Sequence, residues 1–288
     1  MTTDLDAVEK TCLLTAALRA AETRRADRLY EDPFAERLAG GEGADLLAEI
    51  TELTHPADGT PRRVPSTIDY NAIRTRFFDD FLLSAVADPA LTQVVLAPVG
   101  MDARAYRLGW PPRVRVFEVD RPAVLAVKHH RLGDALPLVD RRPVELDMVE
   151  DDWAGPLLAA GYDPAAPSVW LLEGLLYYIP EAAVHRVLDH VRSLTAPGSL
   201  VAGDIVNAVS LSSPRTAALL RVFARWGCPW LFGADDPEAL FDRHGFAVDA
   251  AQPGEEGAGR GRWPDPVVPR AQPDVERVFL VSGRRREG

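Results

Sequence analysis

Apolar residues recur at helical spacing in the first third of the chain and as short continuous runs beyond it. Leu13, Leu14, Ala17, Leu18 and Ala21 share one face of a helical repeat, which predicts an amphipathic helix over roughly residues 6–25. Asp32-Pro33 reads as an N-cap with proline at the first helical position, opening a second helix through Phe34 and Leu38. Gly40-Gly41 stops or breaks it. Pro56, Gly59, Pro61 and Pro65 mark residues 54–65 as loop. Ser66 then caps a third helix, with Ile73, Phe77, Phe78, Phe81 and Leu82 as its apolar face.

From Leu91 the period changes. Val94-Val95-Leu96, Val114-Arg115-Val116-Phe117, Val144-Glu145-Leu146, Val169-Trp170-Leu171-Leu172 and Leu200-Val201-Ala202 read as strands. Helical stretches near 122–132, 151–160 and 181–194 separate the later ones. Repeated strand and helix predict βαβ units and a parallel sheet whose ligands sit at the carboxyl ends of the strands. A helix at 237–243, then Phe246-Ala247-Val248 and Val278-Phe279-Leu280-Val281, would close the sheet with two more strands, read as an antiparallel pair. The expected fold class is therefore α/β, a doubly wound, mainly parallel seven-stranded sheet. Residues 1–90 form a helical cap and 91–288 the core, integrated as one domain. Residues 207–235 are too long for a plain connection and carry Phe223, Trp226, Trp230 and Phe232. They are read as a lid or substrate wall, or as aromatics packing a surface helix.

Composition narrows the function. The 288 residues carry 32 Lys+Arg against 43 Asp+Glu, a net charge of -11. Such a chain repels phosphate backbones, so nucleic acid is not the expected partner. Cys12 and Cys228 form no paired motif, which fits a reducing cytoplasm and excludes a disulfide scaffold or zinc ribbon. No secretory leader or apolar run long enough for a membrane span is legible, so no membrane partner is expected. Oligomeric state is not readable. Richness in alanine, arginine and proline, with lysine only at positions 10 and 128, suggests a GC-rich bacterial genome.

The chemistry gathers at the strand ends. The first strand runs into Ala97-Pro98-Val99-Gly100-Met101-Asp102, a small-residue turn that lets backbone approach a ligand. The second ends Phe117-Glu118-Val119-Asp120, about 20 residues on, where a carboxylate can accept both hydroxyls of an adenosine ribose. That pairing says only nucleoside-type cofactor. A dinucleotide site would need G-x-G-x-x-G for its pyrophosphate. Here one glycine is followed by Asp102, which repels a diphosphate and suits the cationic sulfonium and amine of S-adenosylmethionine.

These segments resemble the leucine carboxyl methyltransferase family of class I methyltransferases, in its bacterial small-molecule O-methylation branch. The resemblance rests on Leu13-Leu14-Thr15-Ala16-Ala17-Leu18-Arg19-Ala20, Asp32-Pro33-Phe34-Ala35, Ile73-Arg74-Thr75-Arg76 through Asp79-Asp80, and Gly100-Met101-Asp102-Ala103-Arg104 through Leu108. It continues in Phe117-Glu118-Val119-Asp120-Arg121-Pro122, Glu173-Gly174-Leu175-Leu176-Tyr177-Tyr178 and Gly261-Arg262-Trp263-Pro264. It implies a Rossmann-like fold and S-adenosyl-L-methionine as cofactor, with S-adenosyl-L-homocysteine as product. It also implies that Arg74 pairs with the methionine carboxylate and that Asp120 binds ribose, with Glu118 sharing or replacing that role. Asp147 and Met148 would bracket adenine, and Glu173 would lie near the methionine amine. Where relatives usually carry glycine or alanine this chain has Pro98, and Val99 is bulkier than the usual alanine. Both changes would weaken or reposition the cofactor.

Adjacent His129-His130 point apart on a helix, and His185 and His190 are five apart, so no metal site is expected. His244, before Gly245, is read as favourable at a helix C-terminus. The expected reaction is in-line methyl transfer to a small-molecule oxygen. A carboxylate acceptor, ionised at neutral pH, needs no base, whereas a phenol would be helped by one. Tyr178 is the candidate catalytic side chain, with the lid aromatics shaping the acceptor pocket. A nicotinamide-dependent oxidoreductase and a binding module without methyl transfer are the competing readings.

Overall fold

The computed structural model describes residues 7–54, 67–149 and 152–287. The expected Ser66 cap and most of the 54–65 loop lie outside the described residues. Three helices lead: α1 (Ala7–Thr23), α2 (Ala35–Thr54) and α3 (Thr67–Ala85). Asp32 caps the entry to α2, its Oδ1 accepting from Phe34 N at 3.0 Å. Gly40 kinks α2 (φ 61°, ψ −168°) without ending it. A Cβ at Gly43 would lie 2.7 Å from the Leu13 carbonyl, so that glycine sets how closely α2 packs on α1.

The sheet follows as β1 (Gln93–Leu96), β2 (Arg115–Asp120), β3 (Asp140–Glu145), β4 (Val169–Leu172), β5 (Leu200–Val206), β6 (Phe246–Ala251) and β7 (Val278–Arg285). Its spatial order is β3-β2-β1-β4-β5-β7-β6. The first five strands are parallel, and β7 runs antiparallel between β5 and β6. Between them lie α4 (Arg104–Arg107), α5 (Pro122–Leu132), α6 (Ala154–Ala159), α7 (Glu181–Leu194), α8 (Ala217–Arg225) and α9 (Pro237–Arg243). The strand β3 starts before its apolar run because it is an edge strand. Only Val144 of its six residues is buried, so residues 140–143 carry no hydrophobic signal.

Alternation along the central strands divides the core. Val95, Phe117, Trp170 and Leu172 face α6, α7 and α9, while Val94, Leu96, Val116 and Leu171 face α3 and α5. A third cluster joins α1 and α2 to α5 and the segment after β1. A fourth seats α8 on α1 and α2. The leading helices thus share buried clusters with both the sheet and residues 207–235. Among the described residues, no helix is long and apolar enough to cross a membrane.

Candidate functional site

A cavity of about 710 Å³ opens at the carboxyl ends of the parallel strands, walled by α1, α3, the turn after β1, the ends of β2 and β4, and residues from 206 to 231. Parallel βαβ units aim exposed backbone and loop side chains at this end of the sheet.

The turn after β1 is held to its neighbours on both sides. Ala97 N donates to Leu171 O at 3.0 Å and Val99 N to Val119 O at 2.9 Å, so Pro98 interrupts no pairing. Val99 is buried in the core cluster with Ile73 and Leu96 and also borders the cavity. Gly100 has φ 47°, and a Cβ there would meet Cys12 Sγ of α1 at 2.9 Å. Its N–H donates to Asp120 Oδ2 at 2.7 Å, and Arg121 N donates to Oδ1 at 2.8 Å. Asp120 is 3% exposed, and burial raises its pKa above the usual carboxylate value against the pull of those two N–H groups. Asp147 and Met148, just past β3, also line the cavity, and Asp147 Oδ1 accepts from Val149 N at 2.9 Å.

Glu118 is placed elsewhere. It is fully buried against Lys128 Nζ (2.8 Å) and Arg141 Nε (2.7 Å) and does not line the cavity. Strand alternation puts both on one face, but Asp120 is the last residue of β2 and its carboxylate reaches the turn after β1, whereas Glu118 lies one pleat back and is taken by α5 and β3.

One face of α3 (Thr67, Tyr70, Asn71, Arg74 and Thr75) lines the opposite wall at i, i+3, i+4, i+7, i+8 spacing. Arg74 lies within 2.9 Å of Glu173 Oε1 at the end of β4 and within 2.9 Å of Asp204 Oδ2 on β5. Arg104 pairs with Asp102, with Asp79 at 2.7 Å and with Glu173 Oε2 at 2.7 Å. Arg107 pairs with Asp79 at 2.7 Å and lies 3.8 Å from Asp32, which Arg19 also binds. The result is one continuous chain of five carboxylates (32, 79, 102, 173 and 204) and four guanidiniums (19, 74, 104 and 107), leaving one negative charge. Burial opposes ionisation of Asp102, but Arg104 and the neighbouring cations outweigh it and hold its pKa at about 2. The structure therefore brings Arg74, Gly100, Asp102, Asp120, Asp147, Met148, Glu173, Pro98 and Tyr178 to one cavity and leaves Glu118 out.

Sequence reasoning missed Asp204, Arg104 and Tyr70. Asp204 is fully buried and accepts from Tyr70 Oη, from Arg74 and from Gly174 N (2.6 Å). Its signal was present, a carboxylate inside the apolar run Val201–Val206 that must find partners.

The far wall is aromatic. Tyr178 packs on Phe223 (ring centroids 6.1 Å apart), and Phe223 on Trp230 (5.9 Å). Phe223 and Trp230 line the cavity, whereas Phe232 packs on the core and Trp226 on the α1–α8 cluster. Residues 207–216 are latched to the start of β7. Arg277 N donates to Asn207 Oδ1 at 2.8 Å, and Arg215 lies 2.6 Å from Glu276. Burial pushes the phenols of Tyr70, Tyr177 and Tyr178 well above their ordinary value and the Cys228 thiol up to about 11, so all four stay protonated at neutral pH. Among the described residues, no histidine or lysine lines the cavity. His244 instead bonds Asp189 (2.7 Å) and His185 (2.8 Å). No group of three metal-ligating side chains occurs among the described residues.

A five-stranded parallel run closed by an antiparallel seventh strand, with its cavity at the carboxyl ends, defines the class I methyltransferase fold. A provisionally assigned methyltransferase from Thermobifida fusca shares it, with a TM-score of 0.60 at 17% identity over 94% of each chain. So does a duf574 family protein from Streptomyces avermitilis (TM-score 0.59, 14% identity, 94% of this chain and 96% of that one). The family model for leucine carboxyl methyltransferase matches residues 12–192. A protein of Mycobacterium marinum, provisionally named an S-adenosyl-L-methionine-dependent methyltransferase, is 42% identical over 250 residues, spanning 83% of this chain and 72% of its own. A similarly named Frankia alni protein is 42% identical over 223 residues, 76% of this chain and 72% of that one. The chain belongs to the leucine carboxyl methyltransferase family. It is an S-adenosylmethionine-dependent methyltransferase.

Proposed function

We propose that this methyltransferase acts on an oxygen of a small molecule, a carboxylate in preference to a hydroxyl, and that the acceptor belongs to secondary metabolism. One observation carries the preference: every tyrosine and cysteine with a resolved shift at the cavity is held protonated, and among the described residues no histidine or lysine lines it. An acceptor that arrives ionised needs no base. Tyr178 then serves as wall and hydrogen-bond donor. A cavity of about 710 Å³ suits a small acceptor, and the net charge of -11 disfavours nucleic acid. A cytoplasmic setting accords with two free cysteines.

The chain's residues fit the cofactor. The single excess carboxylate charge in the ion-pair chain matches a ligand with two cationic groups and one anionic. The cofactor, when bound, supplies an electrophilic methyl on sulfur. Asp120 would take the ribose hydroxyls, with the Gly100 turn admitting backbone close by. Asp147 and Met148 would border the adenine. Arg74 would hold the amino-acid carboxylate, its orientation fixed by Glu173 and Asp204, while Asp102 and Glu173 supply negative potential. The lid aromatics exclude water and align the acceptor, and alignment supplies most of the rate. Labelled-methyl transfer onto matched panels of carboxylates and phenols tests the reading. Methyl esters are the expected products, exclusive phenol methylation would overturn the carboxylate preference, and tight cofactor binding with no product would favour a binding role.

A further inference from the structure

Asn71 lies on the cavity-facing side of α3, one turn before Arg74, and is 3% exposed. Its Oδ1 is buried and has no hydrogen-bond partner. The acceptors around it are already engaged. Glu173 meets Arg74 with one oxygen and Arg104 with the other. Asp102 binds Arg104 through both oxygens, and Asp204 is taken by Arg74, Tyr70 and Gly174. A buried amide oxygen left unsatisfied is costly, and the cost disappears when a ligand donates to it.

We propose that Asn71 is a binding residue for the cofactor's amino-acid terminus, its Oδ1 accepting from the α-ammonium. The inference rests on the placement of that terminus at Arg74. Residues three apart on a helix are neighbours, so a carboxylate held by Arg74 puts its own α-ammonium within the reach of Asn71. The ammonium brings three donors into a wall whose carboxylates supply charge but are already engaged, and where the Asn71 amide oxygen is a buried acceptor without a partner. A neutral acceptor also suits the site. The ion-pair chain already carries one excess negative charge, and a further carboxylate would add repulsion in the cofactor's absence.

The test compares two probes by titration calorimetry. S-adenosylhomocysteine carries the amino-acid terminus, and methylthioadenosine lacks it. Asn71→Ala should weaken S-adenosylhomocysteine about tenfold and leave methylthioadenosine unchanged. Asn71→Asp, which keeps an oxygen acceptor, should restore most of the loss. The ligand-free Asn71→Ala protein should melt no lower than wild type, because the variant deletes an unsatisfied group. Equal weakening of both probes, or no weakening of either, overturns the proposal. Arg74→Gln separates the two claims. If it discriminates between the probes while Asn71→Ala does not, the amide has no such role and the placement stands. If neither variant discriminates, the placement falls and the proposal with it.

Discussion

The two ends of the cavity are built by opposite means. At the α3 end, charges are buried and mutually paired, so each side chain is fixed by several others. At the α8 end, Phe223, Trp230 and Tyr178 present aromatic surface, flanked by the polar latch of residues 207–216 with 276–277. A buried ion-pair chain tolerates little change, because removing one member strands its partners in low dielectric. An aromatic wall tolerates substitution at the cost of fit. On the proposed reading the α3 end takes the cofactor and the α8 end the acceptor, and the physical rigidity of each end accords with that division.

The comparison can be broken most severely at Arg104. Replacing it with methionine leaves Asp102 without its guanidinium and takes one of two cationic partners from Asp79 and from Glu173, and denaturant unfolding should show a loss of about 3–5 kcal/mol. A loss under about 1 kcal/mol would mean that the chain is solvated and not a rigid unit. Asp120→Ala should weaken S-adenosylhomocysteine on the order of 100-fold, since the two ribose hydroxyls would lose a charged acceptor, and should also cost some stability by leaving Gly100 N and Arg121 N without their carboxylate.

The same carboxylate should make affinity depend on pH. Burial favours its protonated form, so in the fold it takes up a proton at higher pH than the ordinary value of about 3.9. Protonation stabilises the fold there but removes a ribose acceptor. Cofactor affinity should therefore fall as pH drops through that raised value, and Asp120→Asn should abolish the dependence. Asp102, held at about 2, stays ionised throughout that window and contributes nothing to it. Its own stabilisation is present above the ordinary carboxylate value and is lost only as pH falls towards 2. Trp230→Ala, at the other end, should raise the acceptor KM roughly tenfold and leave S-adenosylhomocysteine affinity unchanged. A parallel loss of cofactor affinity would show that the ends are not independent.

The same division governs what was legible in the sequence. The succession of strands along the chain, the helices near 122–132, 151–160, 181–194 and 237–243 and the turn holding Gly100 could be read because apolar period and turn chemistry are local signals. The edge strand β3 was read short, since a strand buried on little of its surface leaves no alternation. Asp120 was placed by its position at a strand end, but Glu118, two residues earlier, was drawn to the same site. Its Lys128 and Arg141 partners come from α5 and β3, and no local pattern announces contacts of that kind. Arg74 was found, but Asp204, which fixes it from 130 residues away, was not. Of the aromatic segment, the length and composition were legible. Which rings face inward depends on how α8 settles on α1 and α2, a tertiary outcome.

Arg19, on the first helix, donates both to Asp32 and to the carbonyl of Met101 in the turn beside the cofactor loop. The leading helices are thereby wired into the turn after β1. A sheet cut free of them would lose part of its own binding loop along with its cover. If the far wall faces the acceptor as proposed, its exchange can change specificity while the first helices and the sheet stay together as one unit.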